Sequence, residues 1–433
     1  MPLSLEQSTP LSGSDYFQLV LDKHIRKHGT VGNVSRIAIE LNGKLELSKL
    51  LARLNNLVIF NWMKELHIKR SGLFTIPYWQ RTATEANFPI TEHLNAEEIP
   101  SEVLNRDIKA ESGKLFHIDL IQKANGKSTF VFSVHHSLMD GKGVQSLMKV
   151  LADENTKEDV ENYFPIEIPS KQSLNFKLKK SFETKHFIED FNFKHMATLL
   201  SGIPKSVPRS KFDTINFSEE ETLLIDKNSI AQGSRFGNSP FYLACITRGL
   251  NKLLEQRGKG AGDFWVPMPQ NQRLRGAKGP VFSNQLSFMF FRVPSDKLSN
   301  MPATIEEICK QMVHQVRIGL PQSYSIMMEL FRRVPLFIYY FLIKNSSKGS
   351  TASFSFSDVG EAWGDKKLFI GIPILDVSHI PSNPYIPGFT VVFSRFNNRL
   401  KILVAHIEET IGENEMQLFE DFLRKDLLVV STK

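Results

Sequence analysis

The run Ser128-Thr-Phe-Val-Phe-Ser-Val-His135-His136-Ser-Leu-Met-Asp140-Gly141 begins as a strand of β-branched and aromatic residues and ends in a polar turn. Upstream, Leu115 to Ile121 is a second apolar run, and Asn125-Gly126 lies between the two. Asn-Gly flanked by such runs is the strongest short-range hairpin signal, so an antiparallel pair is expected with the histidines at the end of its second strand. Neighbouring strand side chains point to opposite faces, so His135 and His136 cannot share one role. One should enter the packed interior and the other a channel. Asp140 follows after a turn, where a carboxylate folds back toward the second imidazole or the backbone. Gly141 allows another segment to approach closely.

Outward from this run, Ile37, Ile39 and Leu41 alternate as in a half-buried strand, Asn42-Gly43 breaks it, and Leu47, Leu50, Leu51 and Leu54 recur at helical spacing. Prolines 165, 169, 204 and 208 interrupt a weakly patterned stretch in which Lys171 to Lys185 is basic and one helix is expected near Phe187 to Leu200. Beyond it, the spacing predicts helices at Pro240 to Leu254 and Ala303 to Ile318, and strands at Trp265 to Pro269 and Leu286 to Val293. Phe389 to Phe396 and Leu400 to Ile407 form a hairpin at Asn397-Asn398. Thr410 and Glu413 have capping-box spacing before the apolar face Met416, Phe419, Leu423 and Leu427. The class is mixed α/β, divided as residues 1–170, a crossover at 171–218, and residues 219–433.

Over 433 residues, 41% hydrophobic and 23% charged composition excludes disorder and collagen-like repeats. The net charge of +7 favours an anionic ligand or membrane surface, and its even spread along the chain argues against nucleic acid. Two separated cysteines, Cys245 and Cys309, provide neither a disulfide framework nor a thiolate metal site. The opening residues lack a signal-peptide pattern, and the apolar run Pro335 to Ile343 is about half of a bilayer span, so a cytoplasmic protein is expected. Arg332 to Lys344 is basic at both ends and apolar between. It reads as a buried helix kinked at Pro335 in preference to an interfacial segment at a lipid surface, and exposure of that face decides.

Histidine titrates near neutrality and suits removal of a proton from an alcohol or amine. No Gly-x-Ser-x-Gly accompanies the pair and neither cysteine lies close, which argues for direct attack by an acceptor. Two structural histidines are an equally common outcome for such a pair. A metal site is disfavoured because adjacent strand histidines diverge. Gly258, Gly260 and Gly262 have the wrong spacing for a phosphate loop, so surface cations must hold any phosphates, and Lys252, Arg257 and Lys259 are chosen for that contact. Phe288, Phe290 and Phe291 could wall an acyl channel, an alternating strand turning only some of them inward.

His135-His136-Ser-Leu-Met-Asp140-Gly141 resembles the HHxxxDG motif of the coenzyme A-dependent acyltransferase superfamily, which includes wax ester synthases/diacylglycerol acyltransferases, plant BAHD acyltransferases and condensation domains of peptide synthetases. Pro10-Leu-Ser-Gly-Ser-Asp15 resembles the opening of the wax ester synthase group. Gly113-Lys-Leu-Phe116, Val266-Pro-Met, Ser283-Asn284, Ser355-Phe-Ser-Asp-Val-Gly360 and the closing hairpin and helix follow its order. The resemblance implies two chloramphenicol-acetyltransferase-like subdomains of mixed sheets flanked by helices, with a tunnel between them. It implies His136 as the base, His135 in support, and Asp140 holding its loop through an arginine. Asn271 stands where the family arginine falls, so Arg273 or Arg275 must serve, Arg273 being the choice. Asn284, Ser355, Ser357 and Gly141 are expected near the oxyanion or substrate. The donor is an acyl-CoA or acyl-carrier-protein thioester. The acceptor is a small-molecule alcohol or amine, O-transfer being favoured, in lipid or secondary-metabolite ester synthesis. No permanently bound cofactor or metal is expected, and the chain should be a monomer or weak dimer, with a peripheral membrane contact in view. The competing reading is a carrier-protein docking module without turnover, which would have no need of a base.

Overall fold

Alternating apolar runs close into two main sheets, and the connections between them build the walls of a cleft. The computed structural model describes residues 8–82, 87–155, 158–165, 172–191, 193–200, 208–259, 262–274, 276–277, 279–346, 351–364 and 366–429. The first half runs β1 (Thr9–Pro10), α1 (Gly13–Lys27), β2 (Val34–Leu41), α2 (Leu47–Asn55), α3 (Val58–Glu65), β3 (Leu66–Lys69), β4 (Tyr78–Arg81), β5 (Ile90–Leu94), α4 (Ser101–Leu104), β6 (Phe116–Gln122), β7 (Ser128–His135) and α5 (Gly141–Ala152). The β6–β7 hairpin forms as its sequence predicts, with Gly126 at φ +77° in the turn. One face of β2 and β7 packs Ile37, Ile39, Phe130 and Phe132 against α2, α3 and α5 through Leu50, Phe60 and Leu147, all fully buried.

The crossover helix is α6 (Leu174–Glu189), which starts earlier than expected. Its lysines mask the periodicity because the residues it buries are small and polar, Ser181 and Thr184, where it packs on a helix of the second half. That half contains β8 (Ser210–Asn216), α7 (Glu219–Ala231), α8 (Ser239–Gln256), β9 (Phe264–Asn271), β10 (Leu286–Val293), α9 (Met301–Arg317), α10 (Leu320–Phe331), α11 (Leu336–Ser346), β11 (Ser355–Glu361), β12 (Leu368–Phe369), β13 (Ile372–Ile380), β14 (Phe389–Phe396), β15 (Arg399–Ile407) and α12 (Glu413–Leu428). Helix α8 is buried over Phe241–Ile246 and joins β14, β15 and α12 in a second core. The β14–β15 turn places Asn397 and Asn398 at φ 49° and 60°, the conformation asparagine tolerates best after glycine.

Three local expectations change. Gly412, not Thr410, is the N-cap of α12, and its N–H donates to Glu415 Oε2 at 3.1 Å. Pro335 does not kink one helix; it separates α10 from α11. The third concerns the halves themselves. Strands are ordered β12-β13-β2-β7-β6-β5 in one sheet and β11-β14-β15-β8 in the other, with β9–β10 a separate ribbon. Strand β13 thus leaves the second half of the sequence and pairs antiparallel with β2, so the two halves exchange chain rather than merely touching.

A buried ion pair ties the two halves together beside the histidines. Asp140 caps α5: its Oδ1 accepts from the Gly143 N–H at 2.9 Å, and its Oδ2 accepts from Arg273 Nη1 at 2.6 Å and the Gln285 N–H at 2.8 Å. Arg273 also donates to the Pro280 carbonyl at 2.9 Å, and Arg275 lies outside the described residues. Gly143 is the position of close approach, since a Cβ there would sit 2.6 Å from the Val281 carbonyl oxygen; one on Gly141 would meet nothing nearer than 4.0 Å. Arg273→Ala leaves a buried carboxylate without its countercharge, so the unfolding free energy should fall by about 3–5 kcal/mol. Chemical denaturation of the two purified proteins measures this, and an unchanged midpoint would refute the clamp. Asp140→Asn should also be destabilising, because with its amide oxygen on Gly143 its NH2 group would face the Arg273 and Gln285 donors.

Candidate active site

Strand β7 ends by turning its two histidines apart. The His135 N–H donates to the Leu115 carbonyl and that of His136 to the Asn33 carbonyl, each at 2.8 Å, so both backbones are fixed. His135 is fully buried. Its Nδ1 accepts from the Ser137 N–H at 3.2 Å, which leaves the ring proton on Nε2, 3.3 Å from Asp22 Oδ1. Burial would raise the Asp22 carboxyl, but the neighbouring His135 imidazole and hydrogen bonds from Arg26 and the Asn33 N–H hold it below the usual range. His135 is therefore an interior support joining β7 to α1.

His136 points the other way, into a cavity, and carries the opposite tautomer. The Asn284 amide fixes it. Asn284 Nδ2 donates to the His136 carbonyl at 2.8 Å and to Asp15 Oδ1 at 3.0 Å, so its Oδ1 must be the atom 3.0 Å from His136 Nδ1. An amide oxygen only accepts, hence Nδ1 bears the proton and Nε2 keeps its lone pair. Among the described residues no other side chain bonds to Nε2. Burial holds the imidazole below its ordinary range, against the opposing pull of the Asp140 charge.

Asp15 anchors Asn284 in turn. Its Oδ1 also accepts from the Asn284 N–H at 2.5 Å, and its Oδ2 from the Ser12 N–H at 2.9 Å. Burial raises this carboxyl to about 6 despite those donors. Asn284 is thus no oxyanion donor: its N–H and both interactions of Nδ2 are already committed. Asp15 and Asp22 were not foreseen as site residues, although Asp15 stands in the opening motif. The residue spacing could not have shown that a helix N-terminus lies across the cleft from His136.

The cavity holds about 550 Å³ and takes its walls from both halves. Its lining includes His136, Asp140, Gly141, Lys142, Ser355 and Ser357. Neither serine hydroxyl has a hydrogen-bond partner among the described residues, so both are free to donate. Phe17, Phe288, Phe290, Tyr324 and Tyr339 give the cavity aromatic walls, while Phe291 turns to the core of the second half. His379 on β13 also faces the cavity, its imidazole pushed down to about 4 by burial and by Lys142 and Lys401.

Lys252, Arg257 and Lys259 do not border this cavity. Arg257 is engaged by Glu415 at 2.6 Å and by the Leu199 and Thr410 carbonyls at 2.8 Å. Lys252 pairs with Glu255 at 2.9 Å, and Lys259 approaches the Leu200 carbonyl at 3.4 Å. Arg257 thus ties the end of α8 to α12 and to two neighbouring loop carbonyls. Gly260 lies outside the described residues. Cations that do reach the cavity are Arg36, Lys142 and Lys185, with burial and Lys149 lowering the Lys142 pKa. Among the described residues no group of three His, Cys, Asp or Glu side chains is placed to hold a metal ion.

No family model matches the chain, and no curated protein is similar to it in sequence. Solved structures are similar over its whole length. Trichothecene 15-O-acetyltransferase from Fusarium sporotrichioides superposes with a TM-score of 0.71 at 13% identity, covering 99% of this chain and 98% of that one. The first condensation domain of the calcium-dependent antibiotic synthetase gives 0.67 at 13% identity, with 99% and 98% covered. The condensation domain of the monacolin K polyketide synthase gives 0.61 at 12%, with 98% and 97% covered. The chain therefore has the two-subdomain, chloramphenicol-acetyltransferase-like fold, its mixed sheets flanked by helices.

Proposed function

We propose that the protein is an acyltransferase that moves an acyl group from a thioester, coenzyme A or carrier-protein bound, to an acceptor hydroxyl, with His136 as general base and no covalent enzyme intermediate. The observation that carries this reading is His136 Nε2, an unbonded lone pair aimed into a cavity whose opposite ring nitrogen is held protonated by Asn284. The acceptor O–H donates to Nε2, which takes the proton as the oxygen attacks the thioester carbonyl. The resulting oxyanion meets the hydroxyls of Ser355 and Ser357. These replace Asn284 in that role. Collapse restores the carbonyl, breaks the carbon–sulfur bond and expels a thiolate, which recovers the proton from the imidazolium. A thiol of ordinary pKa near 8.5 leaves readily, so the step needs little acid assistance. The aromatic walls favour an apolar acyl chain or acceptor, as ester synthesis in lipid or secondary metabolism would supply.

Incubation of the purified protein with acyl-CoAs of graded length and a panel of alcohols, following thiol release, tests the reaction. His136→Ala should lower turnover about 10²–10⁴-fold with an unchanged melting curve. Near wild-type turnover in that variant would remove the base. His135→Ala should instead reduce stability, because it empties a buried position against Asp22.

The pH dependence has a definite sign. A base works only when neutral, and the His136 pKa lies below the usual 6.5. The rate should be flat through neutrality and fall only on the acid side, with its midpoint below 6.5. A midpoint above 7 in the kcat profile would contradict the buried, Asn284-bound imidazole.

A further inference from the structure

The cavity mouth opens through an apolar, cationic face that the described fold leaves uncovered. On α6, Leu174, Leu178, Phe182 and Lys185 fall at i, i+4, i+8 and i+11, a single stripe, and the last three border the cavity. Leu178 and Phe182 remain 38% and 57% exposed. Helix α11 packs beside α6 and α1. It brings Leu342 to the same mouth, and its outer residues Phe337 and Phe341 are 56% and 58% exposed. Exposed aromatics on two adjacent helices at the edge of one cavity are unusual for a surface that only meets water.

The charge around this face is positive. Helix α11 carries Lys344 and no acidic residue; α6 carries four lysines against Glu183 and Glu189. Lys27, Lys179 and Lys344 are exposed and have no carboxylate partner among the described residues. After burial, it is Lys27 and Lys344 that depress the His28 imidazole, which places both charges in one local field. Helix α11 is 11 residues long, and among the described residues no helix is long and apolar enough to cross a membrane, so such a helix can only lie on a bilayer.

We propose that the face formed by α6, α11 and the end of α1 docks on an anionic lipid bilayer, inserting Phe337 and Phe341 at the headgroup boundary and presenting the cavity mouth to apolar substrate held in the membrane. The substrate route rests on the acyltransferase reading; the docking does not. Lysines near an anionic surface each add about fivefold in partitioning, and the aromatic side chains add apolar burial.

Flotation of the full chain with phosphatidylcholine vesicles, with and without phosphatidylglycerol, tests the proposal. Wild type should float with the anionic vesicles, less so as salt rises, and not with phosphatidylcholine alone. Phe337→Ser/Phe341→Ser and Lys27→Glu/Lys344→Glu should each lower partitioning at least about tenfold, with unchanged melting and unchanged turnover of a water-soluble short-chain thioester. Failure of wild type to float, flotation unaffected by both double variants, or a dimer that Phe337→Ser/Phe341→Ser dissociates without any lipid binding would each overturn it. Turnover lost with flotation intact would instead count against the acyltransferase reading alone.

Discussion

Two buried carboxylates hold the seam of this molecule, and the placement of its chemistry depends on them. Asp140 joins the end of the histidine turn to Arg273 and the Gln285 backbone; Asp15 joins the start of α1 to the backbone and amide of Asn284. Ser283-Asn284-Gln285 is therefore gripped from two directions. Each acid is surrounded by donors because an ionised carboxylate in such a place is tolerated only when its lone pairs are filled. Their positions fix where β10 starts, and with it the residue that orients His136.

The same seam explains how one strand end gives two unlike histidines. His135 and His136 are chemically identical and consecutive, yet one accepts at Nδ1 and the other donates there. The difference comes from a backbone N–H in one case and a side-chain oxygen in the other, each held by a separate element. Burial then favours the neutral form of His136. The uncharged aromatic walls beyond it give the cavity little to attract an ionic group and much to cover a hydrocarbon.

The exchange of β13 into the first sheet has a mechanical consequence. With β13 paired along β2, and the helices of the second half packed on α1, the cleft is framed on both sides by continuous structure. Its aromatic lining uses α10 and β10, its reactive end uses β7 and α5, and its rim uses α6 and α11. The polar histidine end and the apolar walls thus come from different elements, and the rim meets solvent.

Local pattern alone determined the β6–β7 hairpin, the divergence of the two histidines, the α8 and α12 helices and the mixed α/β class. Each of these depends on residues close in sequence: a turn pair, a period, a strand's alternation. The HHxxxDG resemblance pointed to His136 and Asp140, with Arg273 chosen over Arg275 as the partner of Asp140, and the structure pairs Asp140 with Arg273. Only the tertiary structure decided that the Asn284 amide is spent on His136 and Asp15, that Asp15 and Asp22 stand behind the two histidines, and that Lys252, Arg257 and Lys259 lie away from the cavity. Only it decided that β13 changes sheet and that α11 is open to solvent. The physical reason is common to these cases. A side chain's hydrogen-bond partners, and the face it leaves uncovered, are set by segments hundreds of residues away, and no local period records which donor or carbonyl will arrive beside it.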